Sequence, residues 1–328
     1  MDLTPDEFDD LVGAYALDAC EPDEVEAMER YVAANRDAAA EVERLRVVAS
    51  GIGAADATRP PVALLERLLT SAGERVSPLP ADEALQRETD RFDEFLATLD
   101  ERDLETPTEN GLTVRELVQH VEAVDRAFLA AAADPTVAYI GPDEVAVITA
   151  DDLPGRVGEP FAETVTRFHR TREVLGGLRE RLPAGRRVAG YGRDNTLVIR
   201  AFETWTHHDD ACRALGREIA LPDAEVMRTM AELAVKSLPL ALAVRGTTRP
   251  GRTARLVLEG PGGGEWFVPC APGETLSSTT DVVVRASVVD WCRRFADRID
   301  ADAVGISVDG DADLARDLVS AANAFAGL

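Results

Sequence analysis

Residues 201–216 read AFETWTHHDDACRALG, and this stretch holds two of the four histidines of the 328-residue chain. Glu203 and His207 lie four residues apart, so on an α-helix their side chains would share one face, one turn apart. A carboxylate and an imidazole at that spacing can bind one divalent ion. With a third ligand from another helix, for which His120 is the candidate, the pattern predicts the three-ligand geometry that catalytic zinc uses.

The same spacing has an ordinary alternative, because Glu and His four residues apart also form surface pairs worth roughly 0.2–0.5 kcal/mol. Phe202 and Trp205 flank the pair and indicate partial burial, where both groups would need polar partners. His120 lies among apolar positions as well. His208 is expected at the rim of the site or behind the ligands. His169, next to two arginines, is expected on the surface.

The charge and cysteine content limit the possible partners and compartments. The formal net charge is −25, which disfavours nucleic acid and anionic membranes, because both would repel the chain. Four widely spaced cysteines form no CxxC motif and predict no disulfide framework, as in a reducing cytoplasm. The acidic first residues do not form a signal peptide, and the most apolar stretch, 231–244, is too short to span a bilayer. A soluble cytoplasmic protein is therefore expected.

Three segments follow one another along the chain. Residues 1–75 predict a small helical domain, with a linker at 51–61 and a short helix at 62–69. A Ser-Pro-Leu-Pro sequence at 77–80 marks the boundary.

Residues 82–220 predict long amphipathic helices of a bundle. Thr113 caps the helix of His120, another helix begins at Pro160, a loop follows at 185–195, and a further helix begins at about Val198. Residues 222–328 predict an α+β domain: a helix at 223–237, a hairpin around Gly260–Gly264, strands at 281–287 and 304–308, and helices at 288–299 and 311–325.

Two blocks resemble the metal-ligand motifs of the mycothiol-dependent maleylpyruvate isomerase family, which belongs to the DinB-like four-helix bundles. They are PTENGLTVRELVQHVEAV at 107–124 and FETWTHHDD at 202–210. Three further blocks, RLVLEG at 255–260, DVVVRAS at 281–287 and ISVDGDADLA at 306–315, are similar to that family's C-terminal α+β domain, related to sterol-carrier-like folds. The resemblance implies His120, Glu203 and His207 as ligands of a divalent metal, usually zinc, and mycothiol as cosubstrate.

The resemblance also implies a chemistry. A metal-bound thiolate would attack a small electrophile, as an isomerase that adds, rotates and eliminates, or as an S-transferase that releases the adduct. Arg298 would bind a substrate carboxylate, although Arg255, Arg293 and Arg294 compete for that role and a surface salt bridge is the alternative. None of the cysteines is expected to be a nucleophile.

The first segment is similar to something else. LVGAYALDACEPDEVEAMERYVAANRDAAAEV at 11–42 resembles the N-terminal helical domain of anti-sigma factors. The His-x3-Cys-x2-Cys motif of their zinc-binding members would fall at Tyr31, Asn35 and Ala38, so its three ligands are absent. This leaves a second hypothesis, a regulator that contacts a sigma factor through residues 1–75, with the bundle as a binding module. A helical appendage or dimerisation element, or a metal-binding protein without catalysis, also stays open.

Overall fold

The computed structural model describes residues 3–17, 19–20, 22–56, 76–134, 136–137, 139–218 and 221–326. The chain divides into two compact units, residues 1–74 and 75–328. The boundaries predicted within the second unit, 82–220 and 222–328, stay a prediction. The helix predicted at 62–69 lies outside the described residues. None of the described helices combines the length and apolar character needed to cross a bilayer.

The first unit contains three helices, α1 (Pro5–Ala16), α2 (Pro22–Ala34) and α3 (Arg36–Asp56). The start of the predicted linker is helical to Asp56, because the alanines of this stretch sustain the helix across Gly51 and Gly53. Two of the positions where zinc-binding anti-sigma factors carry ligands contribute to a small apolar core instead. Ala38 is buried there, and Tyr31 stacks on Phe8 with 5.0 Å between ring centroids.

The second unit begins with a helical bundle. Its elements are α4 (Ala81–Leu96), α5 (Glu101–Leu104), α6 (Val114–Ala133), α7 (Pro142–Asp152), a 3-10 turn (Leu153–Arg156), α8 (Phe161–Gly176), α9 (Leu178–Arg181), β1 (Arg187–Val188), β2 (Tyr191–Gly192) and α10 (Arg193–Ala214). The long helices α4, α6, α8 and α10 pack against one another in pairs. The multidomain α and α+β fold class predicted from the sequence is confirmed.

Local sequence fixes where the two site-bearing helices begin. Thr113 accepts a hydrogen bond from the Glu116 backbone and Glu116 accepts one from the Thr113 backbone, a capping box that starts α6 as predicted. Helix α10 begins at Arg193, five residues before the predicted start. The predicted loop before it contains a two-stranded ribbon, because Ala189 and Gly190 adopt positive φ angles of 50° and 90° that allow a tight turn.

The remaining elements form an α+β layer on the bundle. They are α11 (Ala224–Lys236), α12 (Leu238–Arg245), β3 (Thr253–Glu259), β4 (Gly264–Pro269), β5 (Val282–Ser287), α13 (Val288–Phe295), a 3-10 turn (Ala301–Ala303), β6 (Ser307–Gly310) and α14 (Ala312–Ala321). The sheet order is β4-β3-β5-β6, with β3 and β5 parallel and the other pairs antiparallel. The predicted hairpin is confirmed. The last strand begins three residues later than predicted, because Val304 is buried after the 3-10 turn and pairing begins at Ser307.

One hydrophobic core runs through both layers of the second unit. It includes Trp205 of α10, Met230 of α11 and Trp291 of α13, each less than 2% exposed. Helix α11 packs on α4 and α10 on one side and on β4 and α13 on the other. The α+β layer is therefore held firmly against the helix that carries Glu203 and His207.

Candidate metal centre

Three of the predicted site residues meet in the second unit. His120 comes from α6, and Glu203 and His207 come from α10. One ligand atom of each lies within 4.8 Å of the others, and within the described ranges no other group of histidine, cysteine or acidic side chains does this. The two imidazole rings are 4.9 Å apart between centroids and nearly perpendicular, at 84°. The structure thus brings together the ligand set that the sequence pattern and the resemblance indicated.

The ring of His120 is oriented by a hydroxyl that sequence reasoning missed. His120 Nδ1 lies 2.7 Å from Thr149 Oγ1, and that hydroxyl donates to the carbonyl of Val145 at 2.8 Å. Because the hydroxyl proton is already used, Thr149 accepts a hydrogen bond from Nδ1–H of His120. We assign this tautomer from the hydrogen-bond network. It leaves Nε2 of His120 with a lone pair, the form in which an imidazole binds a metal.

The ring of His207 is oriented by a carboxylate. His207 Nδ1 lies 3.1 Å from Asp210 Oδ2, and Asp210 receives two hydrogen bonds of 2.8 Å from Nε and Nη2 of Arg298. A carboxylate behind a ligating imidazole is the usual support of a metal-binding histidine. Asp210 was within the quoted motif but had no predicted role, although its position three residues after His207 places both on one helix face.

The charges of the cluster are strongly coupled. Burial lowers the pKa of His207, but the carboxylates of Glu203 and Asp210 outweigh it and raise the pKa to about 9. Burial raises the pKa of Glu203, but the charge of His207 outweighs it and lowers the pKa to about 2. Burial, and then the charge of His207, lowers the pKa of His120 to about 3. His120 is therefore ready to bind a cation, whereas His207 must release a proton first.

The residues present fit a divalent metal. Glu203 Oε2 is buried and forms an ion pair with His207 Nε2 at 2.9 Å, but it receives no hydrogen bond of good geometry in the described part of the chain. A buried carboxylate needs a cation beside it, and when His207 loses its proton to become a ligand, a metal ion can take that place. Two imidazoles and one carboxylate are also the donor types that zinc uses in catalytic sites.

The cluster borders a cleft. Glu203 and Arg298 line it together with Thr206 and apolar side chains that include Phe202, Phe295 and Phe325. The other lining residues come from α10, from Leu233 of α11, from the end of α13 and from Phe325 and Ala326. A small molecule in the cleft would lie beside the Glu203 carboxylate.

Arg298 lies at the predicted site, but its contacts differ from the expectation. Its Nε–Nη2 edge is already bound to Asp210, and Nη1 donates to the carbonyl of Ala296 at 2.8 Å. Its contact with a substrate carboxylate stays a prediction. The competing arginines have other partners: Arg255 pairs with Glu265, Arg293 with Asp209, and Arg294 donates to backbone carbonyls. None of these three borders the cleft.

The other two histidines lie away from the cluster. His169 is exposed and lies 2.5 Å from Asp93, so the surface prediction is confirmed. The rim prediction for His208 is wrong, because its ring is buried against Phe92 and Phe95 between α10 and α4. Because His208 follows His207 by one residue, it lies about 100° further round the helix and packs in the bundle core. Cys212, Cys270 and Cys292 are buried and free, and Cys20 is free and half-buried.

These features define a class of protein: a helical bundle whose two facing helices present a His–Glu–His cluster to a cleft closed by an α+β layer. Residues 85–212 match the family described as the mycothiol maleylpyruvate isomerase N-terminal domain. This part of the chain belongs to that family, which confirms the family inferred from the sequence.

The similarity to two relatives extends beyond that domain. Two uncharacterized proteins of Mycobacterium tuberculosis, MT0041 of strain CDC 1551 and Rv0036c of strain H37Rv, are 29% identical over 249 residues, 70% of this chain and 90% of theirs. A crystal structure of the mycothiol-dependent maleylpyruvate isomerase is 20% identical, covers 70% of this chain and 93% of that chain, and has a TM-score of 0.40. A histidine-to-alanine mutant of that isomerase is 18% identical with the same coverage and a TM-score of 0.43.

Proposed function

We propose that the chain is a divalent-metal-dependent enzyme that uses mycothiol as cosubstrate and acts on a small electrophile, as an isomerase or an S-transferase. The observation that carries the proposal is the cluster of His120, Glu203 and His207, whose ligand atoms lie within 4.8 Å of one another. The family membership of residues 85–212 supports the choice of mycothiol.

The side chains of the site have distinct tasks in this proposal. His120, Glu203 and His207 would hold the ion, and zinc is the metal that this donor set favours. When bound, zinc supplies a Lewis-acidic position at which a thiol loses its proton near neutral pH. Thr149 and Asp210 accept the Nδ1 protons of the two histidines, so that each would bind the ion through Nε2, in His207 after loss of its Nε2 proton.

The cleft suits a small substrate beside a larger cosubstrate. Its aromatic walls can contact a short carbon skeleton, while Arg298 lies at the edge where a carboxylate would bind. A second cleft shares Ile199, Leu233, Phe295 and Phe325 with the first. Its lining adds Arg187, Asn195 and Lys236 and no acidic side chain, which suits a polar thiol cosubstrate.

Isomerase and transferase differ only after the thiol has added to the electrophile. In an isomerase the carbon–sulfur bond breaks again after rotation about the former double bond, and the thiol is regenerated. In a transferase the carbon–sulfur bond persists in the product. Product analysis with mycothiol and candidate electrophiles therefore distinguishes them, because only a transferase consumes the thiol.

The first experiment is the zinc content of the purified full-length protein after reconstitution and desalting. We expect about one equivalent in the wild type, none in His207→Ala, and the wild-type value in His169→Ala, a surface control. Thiol-dependent turnover should follow the zinc content across the three proteins. A wild type that binds no zinc after reconstitution would contradict the metalloenzyme proposal.

A further inference from the structure

Two buried arginines share a single carboxylate in the interior of the bundle. Nε of Arg172 on α8 lies 2.5 Å from one oxygen of Asp125 on α6, and Nε of Arg200 on α10 lies 2.6 Å from the other. Asp125 and Arg200 are 0% exposed and Arg172 is 4% exposed. Two guanidinium groups on one carboxylate leave one positive charge that this trio does not balance.

The trio is also incompletely hydrogen-bonded. Nη1 and Nη2 of Arg200, and Nη2 of Arg172, have no hydrogen-bond partner in the described ranges. The guanidinium groups lie over aromatic rings, Arg172 5.0 Å from the centroid of Phe168 and Arg200 5.4 Å from that of Phe128. Well-packed apolar side chains are often at least as stabilising as such buried ion pairs, so stability alone does not explain the trio.

The missing negative charge is that of Glu203. Arg200 precedes Glu203 by three residues on α10, which places both on one helix face. Burial lowers the pKa of Arg172, and the charges of Asp125 and of Glu203 act against that shift. The arginine pair and the metal cluster are therefore in electrostatic contact through the Glu203 carboxylate.

Counting the buried charges around the cluster gives the consequence. Three carboxylates (Asp125, Glu203, Asp210) face three guanidinium groups (Arg172, Arg200, Arg298). This set has no net charge once both histidines are neutral. A bound divalent ion would then add two positive charges that no carboxylate of the set offsets, in a weakly screened interior.

We propose that Arg172 and Arg200, held by Asp125, are positioning residues that cancel the charge of Glu203, so that the metal centre selects anionic ligands over neutral ones. The inference rests on the proposed function for the presence of the metal. It specifies the ligand class of the site: a thiolate or a carboxylate at the open position. Without the uncompensated arginine, the site would hold the cation more tightly and anions more weakly.

The test compares Arg172→Met with Arg172→Lys in full-length protein loaded with cobalt. The first removes the charge at similar length, and the second keeps it. Chelator competition measures the cobalt affinity, and the thiolate-to-cobalt absorption band measures binding of 2-mercaptoethanol, with acetate as the carboxylate probe. For Arg172→Met we expect cobalt affinity to rise about tenfold and affinity for both probes to fall about tenfold, from removal of one nearby charge. Arg172→Lys should stay near the wild type.

The opposite signs separate a charge effect from damage to the fold. Weaker binding of both cobalt and probes by Arg172→Met, or no change in either, would overturn the inference while wild-type cobalt binding still supports the proposed function. A wild type that binds no metal would overturn both. Asp125→Asn, which removes a negative charge, is a second variant and should lower cobalt affinity instead of raising it. Unchanged or higher cobalt affinity in Asp125→Asn would also count against the inference.

Discussion

Two neighbouring histidines on α10 lie in opposite environments. His207 faces His120 and the metal cluster, where Glu203 and Asp210 lie within 3.1 Å of its ring nitrogens and raise its pKa to about 9 despite burial. His208 faces the α4 side, where its ring packs 4.5 Å from that of Phe95 and its Nδ1 has no hydrogen-bond partner in the described part of the chain. Burial, and then the charge of Arg91, lowers the pKa of His208 to about 4.

The comparison shows that the role of these histidines is decided by what the helix faces. Both rings are equally buried, at 5% exposure. The one beside carboxylates is a basic group suited to ligation, and the one beside phenylalanines is a neutral packing group. The free energy of unfolding should therefore depend on metal through His207 and on acid pH through His208.

The largest expected effect is the response to zinc. At free zinc about 1,000 times the dissociation constant, zinc should raise the free energy of unfolding of the wild type by about 4 kcal/mol. His207→Ala should lose this increase, and His208→Phe, the adjacent control, should keep it. Thermal and urea unfolding with and without zinc measures the effect. Loss of the zinc response in His208→Phe alone would contradict the assignment of zinc binding to His207.

The next effect concerns His208 in acid. Burial lowers the pKa of His208 from the ordinary 6.5 to about 4, so between these pH values the unfolded chain binds a proton that the folded chain does not. Stability is therefore lost as pH falls from 6.5 to 4, by about 3 kcal/mol for this group. Between pH 7 and pH 4.5 in urea unfolding, His208→Phe should lose about 2 kcal/mol less than the wild type. An equal loss in both proteins would mean that His208 is protonated in the fold.

A smaller effect on zinc affinity is expected at Asp210, which accepts a hydrogen bond from Nδ1 of His207. Asp210→Asn keeps the shape of the side chain but weakens the contacts with His207 and Arg298, so zinc affinity should fall by roughly 10–100-fold. Asp209→Asn is a matched control one residue away, since Asp209 pairs with Arg213 and Arg293 instead. Chelator competition measures both. Equal loss in the two variants would point to a general charge effect rather than to orientation of His207.

The smallest effect on the free energy of unfolding is expected at Glu88, a buried residue of α4. Burial raises the pKa of Glu88 from 4.5 to about 7, against the charge of Arg91, so folded Glu88 keeps a proton that the unfolded chain has lost between these values. Its contribution to stability therefore falls as pH rises through that window. Glu88→Gln should be more stable than the wild type at pH 8, by about 1 kcal/mol, because lost pairing with Arg91 offsets part of the gain. A gain that is the same at pH 5 would exclude titration of Glu88 as its cause.

Parts of the fold and site depend on neighbours in sequence, and these were predictable. The capping box of Thr113 and Glu116 involves residues three apart, and the Glu203–His207 spacing needs only a helix. The Gly-rich turn at 260–264 joins adjacent strands in the same way. By contrast, α7 lacks a buried apolar stripe, with only Val145 buried, so its helical period gave no signal and Thr149 was missed.

What the sequence by itself determined is the ligand pair on α10, the helix that presents His120, and the family of the bundle. Only the tertiary structure decided which groups support those ligands. Arg298 is 88 residues from Asp210, Thr149 is 29 from His120, and Arg172 and Arg200 meet at Asp125 from two other helices. The physical reason is that a hydrogen bond or a charge acts over a few ångströms of space, and spacing along the chain reports such distances only within one turn of a helix or one hairpin.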